Sequence, residues 1–429
     1  MRSTRTAGIW VMFWVLLLLP ELACSAPTAD EPAPEIITVK MKAVEGGESE
    51  VKADDCRGIV VGPGINEVDP FPGWGGFVVW ESPIRLKSGE WLVGFNAGYW
   101  HASPPTPLRF PEEVLEEWHN LGMPEIDAPR GGRAMIVRST DEGKSWTKPE
   151  TLIDTPADDR HPSFLELPDG AILCSFFTYV GKGDYAKDPS LAHRTQITRS
   201  FDGGRTWEQT PKPLPSPFVA DESDGPMLLL DDGSVLIIIN GAPPEGGPDQ
   251  AAVLRTSDRG DSWELLSTLS TDHELLEPTI AQLPDGRLVM MARPEGDIAW
   301  SEDGGKTWTN PVTFGLRLYA PSLMVLKEGT LLCLHGSYAG GGLRATFSSD
   351  GGRTWIGPAT DRGFLIDNSY GYGKAMELPD GSLFITYLST GGHRTEDAQQ
   401  NAIRCIRMRV RADHSGIDLL PAPNQEEPE

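Results

Sequence analysis

The chain has 429 residues, 39% hydrophobic and 23% charged, and a formal net charge of −25. That length fits one large β domain or two ordinary domains, and so acidic a surface excludes nucleic acid and an anionic lipid face as natural partners. Five cysteines are too few for a disulfide scaffold and show no metal-ligand spacing such as C-x-x-C. Neither metal nor cofactor is expected.

At the start of the chain, Arg2 and Arg5 precede an apolar run from Ile9 to Leu19 and small residues at Ala23, Ser25 and Ala26. This is the layout of an export signal over residues 1–26, and the run falls short of the roughly 20 apolar residues of a membrane span. The protein is therefore expected outside the cytoplasm, extracellular or periplasmic. Leu22-Ala23-Cys24 resembles a lipoprotein box, although Glu21 stands where such boxes carry an aliphatic residue. A lipid on Cys24 is the one membrane attachment left open. Residues 27–52, rich in Pro, Glu, Ala and Thr, read as a solvated linker.

A repeat occupies residues 53–415. One block, an apolar strand, a tight turn and a second apolar strand, recurs six times: SPIRLKSGEWLVGF, HPSFLELPDGAILCSFF, GPMLLLDDGSVLIIIN, EPTIAQLPDGRLVMMAR, APSLMVLKEGTLLCLHG and YGKAMELPDGSLFITYL. The Pro-Asp-Gly turns suit hairpins, because glycine accepts the positive φ they demand. Nearly continuous apolar runs mark strands buried on both faces, with Cys174 and Cys333 as buried hydrophobes in two of them.

Five of the six blocks are followed by a second motif: STDEGKSW, SFDGGRTW, TSDRGDSW, SEDGGKTW and SSDGGRTW. Its Asp can accept backbone N–H groups of a turn, its Gly takes a strained φ, and its Trp packs between sheets. One strand before and one after this turn complete a four-stranded unit. Six such units predict an all-β, six-bladed propeller. The last block lacks the second motif, so RGIVV (57–61) is expected to share its blade with AIRCIRMRV and close the ring. Closure brings the strands of Cys56 and Cys405 together, as a disulfide or as two thiols. Within the first long connection, FPEEVLEEWHNLGM (110–123) reads as a short helix. Residues 416–429 read as a tail.

Strand alternation sorts the connections onto two faces. The block turns and the Asp-containing turns share one face; the long connections 97–132, 177–195 and 240–250 share the other, where a site is expected. On that face stand Glu81, Arg160, His161, Glu222, Asp224, Glu277, Tyr319, Tyr370 and Tyr372 just before first strands, with Arg293, Arg344, Asp127, Arg130 and Arg133 beside them.

The five Asp boxes, the six blades, and a Glu sixteen residues before an Arg across a buried hairpin resemble the sialidase (neuraminidase) superfamily over about residues 55 to 415. The resemblance implies an exo-glycosidase removing terminal sialic acid or a related acidic sugar, with an anionic glycan as partner. It implies Tyr372 as nucleophile, with Tyr370 as its near neighbour, Glu277 as the activating base and Asp127 as acid/base. It implies Arg293 and Arg344 as clamps on the substrate carboxylate. A neutral Tyr avoids the repulsion an anionic nucleophile would meet at a carboxylate-bearing anomeric carbon. Where the family opens its first blade with Arg-Ile-Pro, this chain has Glu81-Ser82-Pro83, so the first arginine is missing; Arg160, with His161, is the candidate to supply a guanidinium from the next blade. That departure keeps two alternatives in view: a hydrolase or lyase on another acidic polysaccharide, and a non-catalytic glycan-binding propeller.

Overall fold

A computed structural model of the chain describes residues 37–425, apart from 107, 186 and 391–400. The export signal and Cys24 therefore lie outside the described residues. Among the described residues no helix is long and apolar enough to cross a membrane.

The repeated blocks fold as the inner hairpins of six antiparallel sheets arranged as a propeller. Blade 1 runs Phe77–Arg85, Trp91–Gly98, Arg133–Ser139 and Glu150–Ile153. Blade 2 begins with Asp158–Glu166 and Ile172–Tyr179, blade 4 with Leu276–Gln282 and Leu288–Arg293, and blade 5 with Leu318–Val325 and Leu331–Ser337. Blade 3 splits its inner strand into Ala220–Glu222 and Leu228–Leu229, both paired with Val235–Ala242. In blade 6, Gly373–Glu377, Leu383–Leu388 and Ile403–Val410 are joined by Gly58–Val61 from the start of the domain, with Gly58 opposite Cys405. The ring thus closes as the sequence implied. Cys56 and Cys405 are both buried and free.

Two segments depart from the sequence reading. Lys40–Ala43, within the stretch read as linker, runs parallel to Thr354–Gly357 as an outer strand of blade 5. Ile417–Leu420, within the stretch read as tail, pairs with Ile403–Val410. Both are short, and both gain hydrogen bonds by covering an outer edge that a blade otherwise leaves open. Ile417 and Leu419 are buried there.

The core is distributed between neighbouring blades. Leu92, Ile136, Ile172, Cys174 and Trp207 fill the gap between blades 1 and 2; Leu334, Phe347, Ile385 and Met408 fill that between blades 5 and 6. Of the five repeated tryptophans, Trp207 and Trp355 are buried, while Trp146, Trp263 and Trp308 pack half-buried at the outer margin. The predicted helix is Glu112–Asn120; it packs through Leu115 and Trp118 against Tyr99, Trp100 and Met123 of the same connection.

The five Asp-containing turns repeat one hydrogen-bond pattern. Asp141, Asp202, Asp258, Asp303 and Asp350 each accept the N–H four residues on, at 2.8–2.9 Å. In four of them the hydroxyl at that same position also donates to the carboxylate. These hydroxyl bonds, then the backbone bonds, pull Asp202, Asp258 and Asp303 down to about 2. A folded-state value below the unfolded one means their contribution is complete above about pH 4 and is lost as pH falls toward about 2. Replacing all three by Asn is expected to lower the neutral-pH melting temperature and to flatten its fall between those two pH values, as followed by circular dichroism.

Candidate active site

The six blocks share a register that places one residue of each at the channel mouth. The ninth residue before the turn glycine is Trp80, His161, Asp224, Glu277, Ala320 and Tyr372, from blades 1 to 6 in order. In blades 1, 2, 4 and 5 this residue opens a bulge, where the inner strand's register shifts against its neighbour. There Trp80, His161, Glu277 and Ala320 adopt φ of 59°, 55°, 46° and 49°. Left-handed backbone at a non-glycine residue costs about 1–3 kcal/mol and recurs where a side chain is re-aimed for function.

The ring is chemically continuous. Tyr372 Oη donates to Glu277 Oε1 at 2.5 Å. Glu277 Oε2 accepts the Ala320 N–H at 2.8 Å and lies 2.9 Å from Arg293 Nε. Blade 5 contributes only a methyl group to the ring, so the phenol of blade 6 can reach across it to the carboxylate of blade 4. On its other side Tyr372 meets the edge of Trp80 at 4.7 Å, and Tyr370 stacks on it at 5.5 Å. Trp80 stacks on His161 at 4.5 Å, and His161 Nδ1 lies 2.6 Å from Asp224 Oδ1.

Burial sets the protonation states. It holds the Tyr372 phenol well above its ordinary value, and the Glu277 carboxylate adds to the effect. Burial also raises Glu277, against the pull of Arg293. His161 is pushed down to about 4 by burial, despite Asp224, so a neutral imidazole gives its Nδ1–H to that carboxylate. Below the ring lie Glu81, raised to about 8 by burial, and Lys374, whose ammonium burial pushes down against Asp224, Glu81 and Glu277. Among the described residues Lys374 Nζ has no hydrogen-bond partner. The cavity at this level, between Trp80, Glu81, Asp224, Tyr372 and Lys374, is about 20 Å³, room for roughly one water. The channel is therefore nearly closed beneath the ring.

The structure brings together Tyr372, Glu277, Arg293, His161 and Asp224. Arg160 lies beside them: its guanidinium sits 5.2 Å over Trp80 and 5.3 Å over Phe177, and Nη2 donates to the His101 carbonyl. Arg344 turns its donors to backbone carbonyls. Its Nε, Nη1 and Nη2 donate to the carbonyls of Gly341, Gly363 and Gly340 at 2.9, 3.0 and 3.3 Å. The reason is local: Gly341 and Gly342 take positive φ and curl the loop's carbonyls onto the guanidinium. Asp127 does not reach the ring. It is exposed, meets Thr106 at 3.4 Å, and lines a separate cavity with Tyr99 and His119. Arg130 and Arg133 are committed to Asp154. Trp80, Ala320 and Lys374 are absent from the candidates the sequence offered. Counting back from each turn glycine finds the first two directly, and Lys374 two positions further on, where the other blades carry Ser, Thr or Pro.

Fold and ring define the class: a six-bladed β-propeller with a ring of polar and aromatic side chains at its channel mouth. Residues 136–385 match the BNR repeat-like domain, and the chain belongs to that family. Among solved structures it is similar to a protein of unknown function from Dyadobacter fermentans (TM-score 0.61, 20% identity, 85% of this chain and 98% of that one). It is also similar to the intramolecular trans-sialidase of Ruminococcus gnavus (0.56, 14%, 79% and 95%) and to an α-L-arabinofuranosidase of Fusarium graminearum (0.53, 14%, 81% and 97%). At these identities the likeness is one of fold. No curated protein matches the sequence.

Proposed function

We propose that the protein is an exo-acting glycoside hydrolase that removes a terminal sialic acid or related acidic sugar, with Tyr372 as nucleophile and Glu277 as its base. The 2.5 Å contact between the two side chains, buried at the channel mouth, carries this reading. In the resting state the proton stays on Tyr372. As Tyr372 Oη attacks the anomeric carbon, Glu277 takes that proton, so charge builds on the phenolic oxygen only as the bond forms. Arg293 holds Glu277 in place, and its Nη1 donates to Tyr338 Oη at the rim. Arg293 stands beside the Tyr372–Glu277 pair, and arginine suits a carboxylate. The near-closed channel floor fits a terminal sugar entering end-on.

A second reading, hydrolysis of a neutral terminal sugar such as an arabinofuranoside, is favoured by the commitment of Arg344 to backbone carbonyls. It is also favoured by the concentration of carboxyls there, Asp224 and Glu277 in the ring with Glu81 and Glu222 near them. Incubating purified protein with 4-methylumbelliferyl glycosides separates these readings. Release from the α-sialoside supports the first and release from the α-L-arabinofuranoside the second; release from neither favours a glycan-binding propeller. Ala320→Leu is expected to wedge Tyr372 from Glu277 and lower the rate about 100-fold, the scale of an ångström-sized misplacement.

We also propose that the chain is exported, on the strength of residues 1–26. N-terminal sequencing of the mature protein should find a start between Cys24 and Pro27; an intact Met1 in an exported fraction would contradict it.

A further inference from the structure

A glycosidase needs an acid to protonate the departing oxygen, and Asp127 is not at the ring. We propose that Glu222 is that acid, and the base that activates water in the second half of the reaction. The inference rests on the Tyr372–Glu277 reading above.

Three observations point to it. The first is position. Glu222 ends the inner strand segment Ala220–Glu222 of blade 3, and in a ring of six blades blade 3 faces blade 6, which carries Tyr372. A sugar attacked by Tyr372 from one side presents its leaving group to the other. The second is coupling to the base. Asn240 of blade 3 donates through Nδ2 to Glu222 Oε1 at 3.4 Å and accepts the Glu277 N–H on Oδ1 at 3.1 Å. One amide therefore braces both glutamates. The third is access: Glu222 is half-buried, whereas Glu81 is enclosed beneath the ring.

The charges around Glu222 suit the role. Burial raises it to about 8; Asp224 on its own blade and Glu277 on blade 4 push the same way, and Arg160 on blade 2 and the Asn240 bond oppose them. Tyr179 and Tyr185, also from blade 2, face it. Burial raises Glu277 too, but there Arg293 and two hydrogen-bond donors oppose it, so the ionised form is better supported at Glu277 than at Glu222. Environments that separate two carboxyls in this way divide acid from base.

The steps balance. The bond from Tyr372 Oη to the anomeric carbon forms and the glycosidic C–O bond breaks. The phenolic proton passes to Glu277 and the Glu222 proton to the leaving oxygen. Water then attacks the anomeric carbon, giving one proton to Glu222, while the tyrosyl oxygen leaves and recovers its proton from Glu277.

The test compares wild type with Glu222→Gln on two glycosides of the sugar that wild type hydrolyses: one with a 4-nitrophenyl leaving group and one with methanol. Loss of the acid should lower kcat/KM at least about 100-fold for the methyl glycoside and less than about tenfold for the aryl one. The basic limb of the wild-type pH profile, near pH 8, should vanish in the variant. Glu222→Ala with added azide should regain aryl-glycoside turnover as the glycosyl azide. Equal losses on both substrates, or none, would overturn the assignment while leaving the hydrolase reading intact. So would the leaving-group signature appearing in Asp127→Asn instead. If wild type hydrolyses no glycoside in the panel, the hydrolase reading falls, and this assignment falls with it.

Discussion

Tyr372→Phe is expected to lower kcat on the preferred glycoside by at least about 10³-fold with little change in KM, because it removes only the attacking oxygen. The ring itself stays. A phenyl group at 372 keeps its edge contact with Trp80 and its stack on Tyr370, so the channel wall is preserved. Glu277 loses one donor but retains the Ala320 N–H and Arg293, which limits the stability cost to about 1–3 kcal/mol. Progress curves on the aryl glycoside, with a thermal melt on the same preparation, check both parts. A variant that melts normally yet turns over within tenfold of wild type would show that the phenol is not the nucleophile.

Arg293→Ala is expected to act on stability and affinity together. Glu277 is deeply buried, and Arg293 is its counter-charge at 2.9 Å. Removing one partner of such a pair costs about 3–5 kcal/mol, because the other is left charged and undersolvated. Urea denaturation at neutral pH should show that loss. It should shrink as pH falls, since protonating Glu277 removes the stranded charge. An anionic substrate should also bind several-fold to about a thousand-fold more weakly, the effect of losing a charge-assisted partner in a desolvated site. A neutral substrate should show the stability loss without the full affinity loss, which separates the two readings of the substrate.

Much of this architecture is legible in the sequence because it is repeated. Six hairpin blocks and five Asp turns fix the number of blades, and the missing sixth Asp turn points to Gly58–Val61 as the strand that closes blade 6. Glu277, Arg293 and Tyr372 are legible for a related reason: each lies at the mouth end of an inner-hairpin strand, where topology alone carries it to the mouth. Arg344 occupies an equally suggestive place, yet the fate of its donors depends on how Gly340, Gly341 and Gly342 turn their carbonyls, which residue spacing does not encode. Asp127 lies in a long connection with its own small core, where distance along the chain says little about distance to the ring. Lys40–Ala43 and Ile417–Leu420 form strands only because a blade edge is there to receive them. Their few residues carry too little periodicity to announce it.

The central claim is that a covalent bond forms at Tyr372, and trapping tests it most directly. A fluorinated glycosyl fluoride of the sugar that the enzyme hydrolyses slows breakdown of the intermediate more than its formation, so the sugar stays on the nucleophile. After proteolysis, mass spectrometry should find the added mass on the peptide spanning Tyr372, localised to that residue and absent from Tyr372→Phe. The same mass on Glu277, Glu222 or any other residue of active enzyme would contradict the account.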